Sequence, residues 1–400
     1  MNLTPEEQSL LAGAYGQAVR KSMDILVALG TIYAAEKLVP VSSVQIAGVS
    51  FDNLGEAGLE FLAEMAAQGG KARVLTTLNP AGMDIDNWQA LGISADFAQN
   101  QMRVIEAFAQ MGVVTTCSCT PYLFGNLPHY GEHIAWAESS AVCYANSVLG
   151  ARTNREGGPS ALAAALTGKT PAYGLHLEEN RRPSVTIRVQ AALVDTHDFG
   201  ALGVAIGKKI EARKLKAIPY IVGITTASVD QLKSFCASVA TYGGLALFHM
   251  QGITPESPLY QAPAETIEIT QSDLDQVMEG YNHTAAEEVV DFVSLGCPHL
   301  SLNEIKRVAE LLEGQQVKKT FWITTARPTK QMADQMGYTR VIEEAGALFA
   351  TDTCCVVSPI KGRFKLMATD SAKACYYAAA KNGFKIRFLA FDDVVREALR

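Results

Sequence analysis

The 400-residue sequence has no Cys-x-x-Cys pair among its eight cysteines and no strict internal repeat. It also has no excess of basic charge and no apolar run near the roughly 20 residues that cross a bilayer. Each absence excludes something. Without paired cysteines, a zinc ribbon, a thioredoxin-type redox motif and a bacterial ferredoxin run are ruled out. A net charge of −7 and a pI near 5.6 argue against nucleic acid or an anionic membrane as partner. Local basic pockets for a small anionic substrate remain open. The N-terminal MNLTPEEQ lacks the basic start and apolar core of a signal peptide. Eight cysteines spread over this length do not form a secreted disulfide scaffold, so a reducing cytoplasm is expected.

With 48% hydrophobic and 19% charged residues, the chain can bury large cores. Its length suggests two or three domains. Thr4, Pro5 and Glu7 predict a helix start with a capping box. Strand-like VSSVQIAGVS, KARVLTTLNPAG and VVTTCSCTPY alternate with helical NLGEAGLEFLAEMAAQGG and MRVIEAFAQMG. Such β-α units favour parallel sheets with helices on their faces, and ligands gather at the carboxyl ends of those strands. A helix is expected from Glu132 to about Leu149, ending at Gly150, and strand alternation over 173–194. A further α/β unit fills Asp195 to about His249, followed by QGITPESPLYQAPAET as linker or crossover. VDFVSLG, KKTFWIT and GALFAT are then strands leading into loops, with a Ser301/Glu304 capping box after the first. The fold class is therefore α/β with several parallel-sheet domains, divided as 1–194, 195–265 and 266–400.

Three short cysteine segments fall in such loops: TTCSCTPY, LGCPHLS and TDTCCVVSP. Thiolates from three distant loops can hold an iron–sulfur cluster with one iron free of protein ligands, whereas a buried cysteine is more often a small apolar residue. Cys143, Cys236 and Cys375 lie in helical patterns and read as core. Cys117 adjoins Cys119, and Cys355 adjoins Cys354; the residues alone leave open which member of each pair faces a site.

Gly48, Val49 and Ser50 precede a helix, where free N–H groups suit a phosphate or carboxylate, although from the residues alone a plain strand-to-helix turn is the stronger reading. Asn79 and Pro80 occupy a second strand end. Lys373 falls in the first turn of a helix over DSAKACYYAAAKNG, unfavourable for the dipole, so it is either solvated or paired with an anion. Glu138 and Ser139 interrupt an apolar pattern, as site residues or as satisfied polar groups at an interface. The GKT at Gly168–Thr170 ends a helix and lacks the upstream glycine of a phosphate loop. His129 and His133 are separated by Gly131, which speaks against a two-histidine zinc helix.

The motifs HIAWAESSAV, GARTNREGGPSALAAALTG, TPAYGLHLE, CTPY, CPHLS and DTC with VVSPI resemble the large subunit of aconitase X enzymes along the whole chain. The resemblance implies an aconitase-like arrangement of α/β domains around an iron–sulfur cluster held by Cys119, Cys297 and Cys354, with [4Fe–4S] expected although a [2Fe–2S] centre occurs among relatives. It implies substrate contacts from Gly48, Val49, Ser50, Asn79, Pro80, Glu138, Ser139 and Lys373, with Glu138 and Ser139 in the reaction. It also implies a separate small subunit with a swivelling β-rich domain that carries the general base, a domain this chain is expected to lack. The activity implied is hydro-lyase dehydration of (R)-5-phosphomevalonate in isoprenoid synthesis. The alternatives are dehydration of cis-3-hydroxy-L-proline and, in another class, a non-catalytic cluster-binding sensor.

Overall fold

A computed structural model describes residues 1–282 and 288–400. Three parallel sheets organise them. The first orders its strands Leu75–Leu78, Ser43–Ile46 and Ala135–Trp136, with Ile46 opposite Leu78 and Gln45 opposite Trp136. All four residues of Ser43–Ile46 are buried, as expected of a central parallel strand covered on both faces. The last sheet runs Leu348–Thr351, Thr320–Thr325, Phe292–Leu300, Leu366–Thr369 and Lys385–Phe388, all parallel. Chain order reverses direction at its central strand, Phe292–Leu300, which makes that strand's carboxyl end a topological switch point.

Between them lies a parallel sheet of His249–Met250, Pro219–Val222, Val185–Val189 and Thr266–Ile269. It pairs a strand that precedes residue 195 with one that follows residue 265, so its hydrogen bonds draw the middle unit wider than the segment 195–265. An antiparallel pair, Leu38–Pro40 with Lys169–Pro171, closes the N-terminal part. No helix among the described residues is long and apolar enough to cross a membrane.

The capping boxes at Thr4/Glu7 and Ser301/Glu304 form as expected. Three segments differ from expectation, while the crossover after His249 forms as expected. The stretch from Glu132 is not helical until Ser139, because Ala135–Trp136 joins the first sheet and the buried Trp136 indole donates to Ser43 Oγ at 3.1 Å. Within 173–194 the strand is only Val185–Val189, preceded by two 3₁₀ turns. Those turns seat the fully buried Arg181, whose guanidinium donates to Glu256, Asn146 and the Leu175 carbonyl. The same Arg181–Glu256 pair packs down the segment after His249, which is a crossover between the edge strands of the middle sheet. VVTT makes one bridge, Val114 with Thr77, before Cys117 turns the chain at φ 45°.

Gly168 is a left-handed helix cap, and Lys169 pairs with Glu7 at 3.0 Å, so the GKT triplet is structural. His129 is exposed beside Glu132, while His133 Nδ1 meets His176 Nδ1 at 2.9 Å. Burial, with His133, Arg181 and Arg152 nearby, pushes the His176 imidazole down to about 3. The folded ring is neutral, and the unfolded ring takes up a proton below its ordinary 6.5. Its contribution to stability is therefore complete above that value and is lost as pH falls towards 3. Urea unfolding should show a loss of about 2 kcal/mol from this residue between pH 8 and pH 5. His176→Gln should flatten that part of the profile; identical slopes in both proteins would show that the ring is not the source.

Candidate active site

Each strand of the first sheet delivers its following residues to one place. After Ser43–Ile46 come Gly48, Val49 and Ser50; after Leu75–Leu78 come Asn79 and Pro80; after Ala135–Trp136 come Glu138 and Ser139. The last sheet does the same, with Cys297 bulging from Phe292–Leu300, Cys354 after Leu348–Thr351 and Lys373 after Leu366–Thr369. A cavity of about 290 Å³ lies where these ends meet. Asn79, Pro80, Cys119, Glu138, Ser139, Cys297, Cys354 and Lys373 all line it. Gly48 lines an adjoining cavity of about 310 Å³ that shares Asn53 with the first. Val49 and Ser50 are buried beneath, and Ser50 Oγ donates to the Val357 carbonyl at 3.0 Å.

Glu138 caps the short helix Ser139–Tyr144, with Oε1 accepting from the Ser140 backbone N–H and hydroxyl. Its Oε2 accepts from Asn79 Nδ2 at 2.7 Å, and Lys373 Nζ donates to Oε1. Burial pushes this carboxyl up, but the Lys373 ammonium and the hydrogen bonds from Lys373, Asn79 and Ser140 outweigh it and hold it at about 2. For Lys373, burial works against the charge, and Glu138 and the neighbouring thiols carry it well above its ordinary value. At neutral pH Glu138 is an ionised acceptor and Lys373 an ammonium. Among the described residues, Asn79 Oδ1 is buried without a hydrogen-bond partner, so an acceptor is left for a donor entering the cavity.

Both helices that open on the cavity share a plan. Ser139–Tyr144 continues as a π-helix, Ala145–Leu149, ending at Gly150; Ala372–Tyr377 continues as Ala378–Asn382, ending at Gly383. Both terminal glycines are left-handed, which ends a helix at no steric cost. π turns recur at functional sites because the extra residue re-aims side chains.

His299 fastens the three cysteine loops together. Its Nε2 lies 2.9 Å from the Thr353 carbonyl, which can only accept, so Nε2 carries the proton. Nδ1 then accepts from Ser118 Oγ at 3.0 Å. The His299 backbone N–H donates to Cys119 Sγ at 3.3 Å, and its carbonyl accepts from buried Lys233 on the middle unit at 3.1 Å. One residue thus touches the neighbours of Cys119 and Cys354 from within the Cys297 loop. Burial pushes the imidazole down to about 4, so the ring is neutral at pH 7 and all its bonds are satisfied. Gly296, at φ 105°, lets that loop pass the Thr324 carbonyl; a Cβ there would lie 2.1 Å from the oxygen.

Across the cavity, Gln101 holds the anion-loop candidates. Its Oε1 accepts from the Phe51 and Gly82 N–H groups and its Nε2 donates to the Val49 carbonyl, all at 3.0 Å. The residues had singled out neither His299 nor Gln101. The placement of His299 two positions after Cys297 was a visible signal; a glutamine on an amphipathic helix carried none.

The cysteine pairs divide. Cys119 and Cys354 line the cavity, whereas Cys117 and Cys355 pack in hydrophobic cores with Cys143, Cys236 and Cys375. Burial pushes the Cys119 thiol up to about 12 and raises those of Cys297 and Cys354. Backbone N–H groups of Val356 and Val357 act on Cys354 in the opposite sense. Thiols in this setting ionise when a metal replaces their protons, and N–H groups aimed at sulfur suit cluster ligands. Among the described residues, no three His, Cys, Asp or Glu side chains close on a single ion. Three thiols lining one cavity, with backbone N–H groups directed at Cys119 and Cys354, fit the donor set of an iron–sulfur cluster.

If His299 sets the loop arrangement, His299→Ala should destabilise the protein by about 2–4 kcal/mol, from the lost packing and the stranded Ser118 and Thr353 groups. His129→Ala, at an exposed site, should change stability by less than about 0.5 kcal/mol. Urea unfolding of both variants gives the comparison; equal effects would remove His299 from its structural role.

Models of the aconitase X first, second and third domains match residues 1–179, 183–279 and 290–400. The phosphomevalonate dehydratase large subunit of Methanocaldococcus jannaschii is 47% identical, over 94% of this chain and 95% of that protein. Its counterpart from Thermococcus kodakarensis is 44% identical over the whole of both chains. A cis-3-hydroxy-L-proline dehydratase from Hypocrea jecorina is 34% identical over 97% of this chain and 67% of that longer protein. The crystal structure of Thermococcus kodakaraensis aconitase X in its holo-form superimposes with a TM-score of 0.92 over the whole of both chains, at 44% identity. The chain belongs to the aconitase X family.

Proposed function

We propose that this chain is the large subunit of a hydro-lyase that converts (R)-5-phosphomevalonate to trans-anhydromevalonate 5-phosphate, in mevalonate-pathway isoprenoid synthesis. Support comes from one observation above all: three cysteine thiols and the Asn79–Glu138–Lys373 constellation share a single cavity at facing strand ends. The relatives at 44–47% identity over nearly their full length carry that name.

Cys119, Cys297 and Cys354 would hold an iron–sulfur cluster, a [4Fe–4S] cluster by family resemblance. Bound there, it supplies a Lewis-acidic iron that stabilises the hydroxide leaving the tertiary carbon. The remaining work falls to the chain's own groups. Lys373 brings an ammonium to the substrate's carboxylate, with its charge fixed by Glu138. Glu138, ionised at about 2, cannot donate a proton at neutral pH; it orients the substrate hydroxyl and keeps Lys373 in place. Asn79 bridges by donating to Glu138 while Oδ1 accepts from the substrate. Ser139, at the start of the same helix, and Pro80 shape the wall. Gly48, Val49 and Ser50 offer backbone N–H groups towards the substrate's other anionic end.

The general base comes from a small subunit, whose existence is supported by the relatives being large subunits. Its swivelling domain closes over the cavity and brings a serine to the proton next to the carboxylate. Eight unpaired cysteines suit a reducing cytoplasm.

The two-subunit protein, loaded anaerobically with iron and sulfide, should turn over (R)-5-phosphomevalonate and not cis-3-hydroxy-L-proline. Cys119→Ser, Cys297→Ser or Cys354→Ser should each lose the cluster and activity, whereas Cys143→Ser, Cys236→Ser and Cys375→Ser should keep near-normal iron. Turnover of the imino acid alone would make this a hydroxyproline dehydratase. A stable cluster with no turnover of either substrate would favour a sensor.

A further inference from the structure

The cavity holds a second lysine that neither strand ends nor cysteine loops account for. Lys373, Tyr377 and Lys381 follow one another at steps of four along Ala372–Tyr377 and its π continuation, and all three line the cavity. The two lysines are held very differently. Lys373 is buried and held by Glu138, itself buried, so it is fixed at the inner wall of the cavity. Lys381 is about a quarter exposed, with Nζ 2.9 Å from Asp52 Oδ2 and 3.2 Å from the Val357 carbonyl. Asp52 is 41% exposed, and an ion pair between such side chains contributes little and exchanges readily.

Position adds to this. Asp52 lies in the first turn of the helix Phe51–Ala67, directly after Gly48, Val49 and Ser50, and its neighbour Asn53 lines both cavities. Val357, the other partner of Lys381, accepts the Ser50 hydroxyl. Lys381 therefore stands where the Gly48–Ser50 loop, the Cys354 loop and the cavity mouth adjoin. A cluster held by three thiolates would make the inner end of this cavity electronegative, and Lys373 is already committed there to Glu138 and the reacting end of the substrate.

We infer that Lys381 exchanges Asp52 for the distal phosphate of the substrate, and so selects phosphorylated hydroxy acids over hydroxy or imino acids with no second anion. This rests on the dehydratase reading above and extends it from the reacting end of the substrate to the recognition end. Asp52 serves as the stand-in anion that keeps the ammonium aimed at the mouth while the cavity is free of substrate.

The test uses the two-subunit protein carrying its cluster, with (R)-5-phosphomevalonate as substrate and inorganic phosphate as competing anion. Lys381→Met should raise KM and the phosphate inhibition constant together, by about 10- to 100-fold, the range for losing a charge-assisted hydrogen bond. Changes in kcat should stay within a few-fold and iron content should be normal. Lys381→Arg should recover most of the affinity. Asp52→Asn, which removes the competing anion, should lower both constants, a change of sign that a merely structural role does not produce. Normal KM and phosphate inhibition in Lys381→Met, with the unsubstituted enzyme active on phosphomevalonate, would overturn the inference and leave the dehydratase reading intact. An unsubstituted enzyme that neither turns over phosphomevalonate nor is occupied by phosphate would overturn both. Phosphate binding that depends on Lys381 without phosphomevalonate turnover would keep the anion site and remove the substrate assignment.

Discussion

A single imidazole holds the candidate site in register. The Cys297 and Cys354 loops leave the last sheet and the Cys119 loop follows the first, and no hydrogen bonding within either sheet sets the distance between the two. His299 does so by donating to the Thr353 carbonyl, accepting from Ser118 and presenting its own N–H to Cys119. The ring must be neutral for this pattern, and its burial ensures that. Lys233 carries the same function outward, joining the His299 carbonyl to Glu304 and hence the loop to the middle unit. A buried lysine is expensive unless paired, and here it is paired with two carboxylates, Asp230 and Glu304.

Around that register the chemistry is laid out by strand direction. Parallel strands place all their carboxyl ends on one edge, so two sheets with those edges together gather residues from six chain segments without a long loop. The charges are matched to different tasks. Glu138 and Lys373 form a buried, mutually cancelling pair fixed in the wall, while Lys381 and Asp52 form a looser pair at the mouth. The first arrangement positions, and the second leaves a cation free to change partner.

Much of this was visible in the residues. The capping boxes at Thr4 and Ser301 and the β-α alternation carry local signals, and they lead to the right elements. The order of strands was not visible, because pairing between Val185–Val189 and Thr266–Ile269 is decided by tertiary packing rather than by either segment. The stretch from Glu132 read as helix because HIAWAESSAV is apolar at both periods, and only the neighbouring strand decides between them. At the site, the choice between Cys117 and Cys119 rests on backbone geometry: a left-handed Cys117 turns its side chain into the core and the next odd position towards the cavity. Lys381 carries no signal in the residues, because the π turn that brings it into line with Lys373 leaves no mark in composition.

The proposed chemistry depends on where iron sits. Crystals of the anaerobically loaded two-subunit protein, measured on both sides of the iron absorption edge, locate the metal without assumptions about activity. The proposed chemistry predicts one compact iron site per large chain, bonded to Cys119, Cys297 and Cys354. Iron bonded to Cys117 or Cys355 instead, or found outside this cavity, would contradict it.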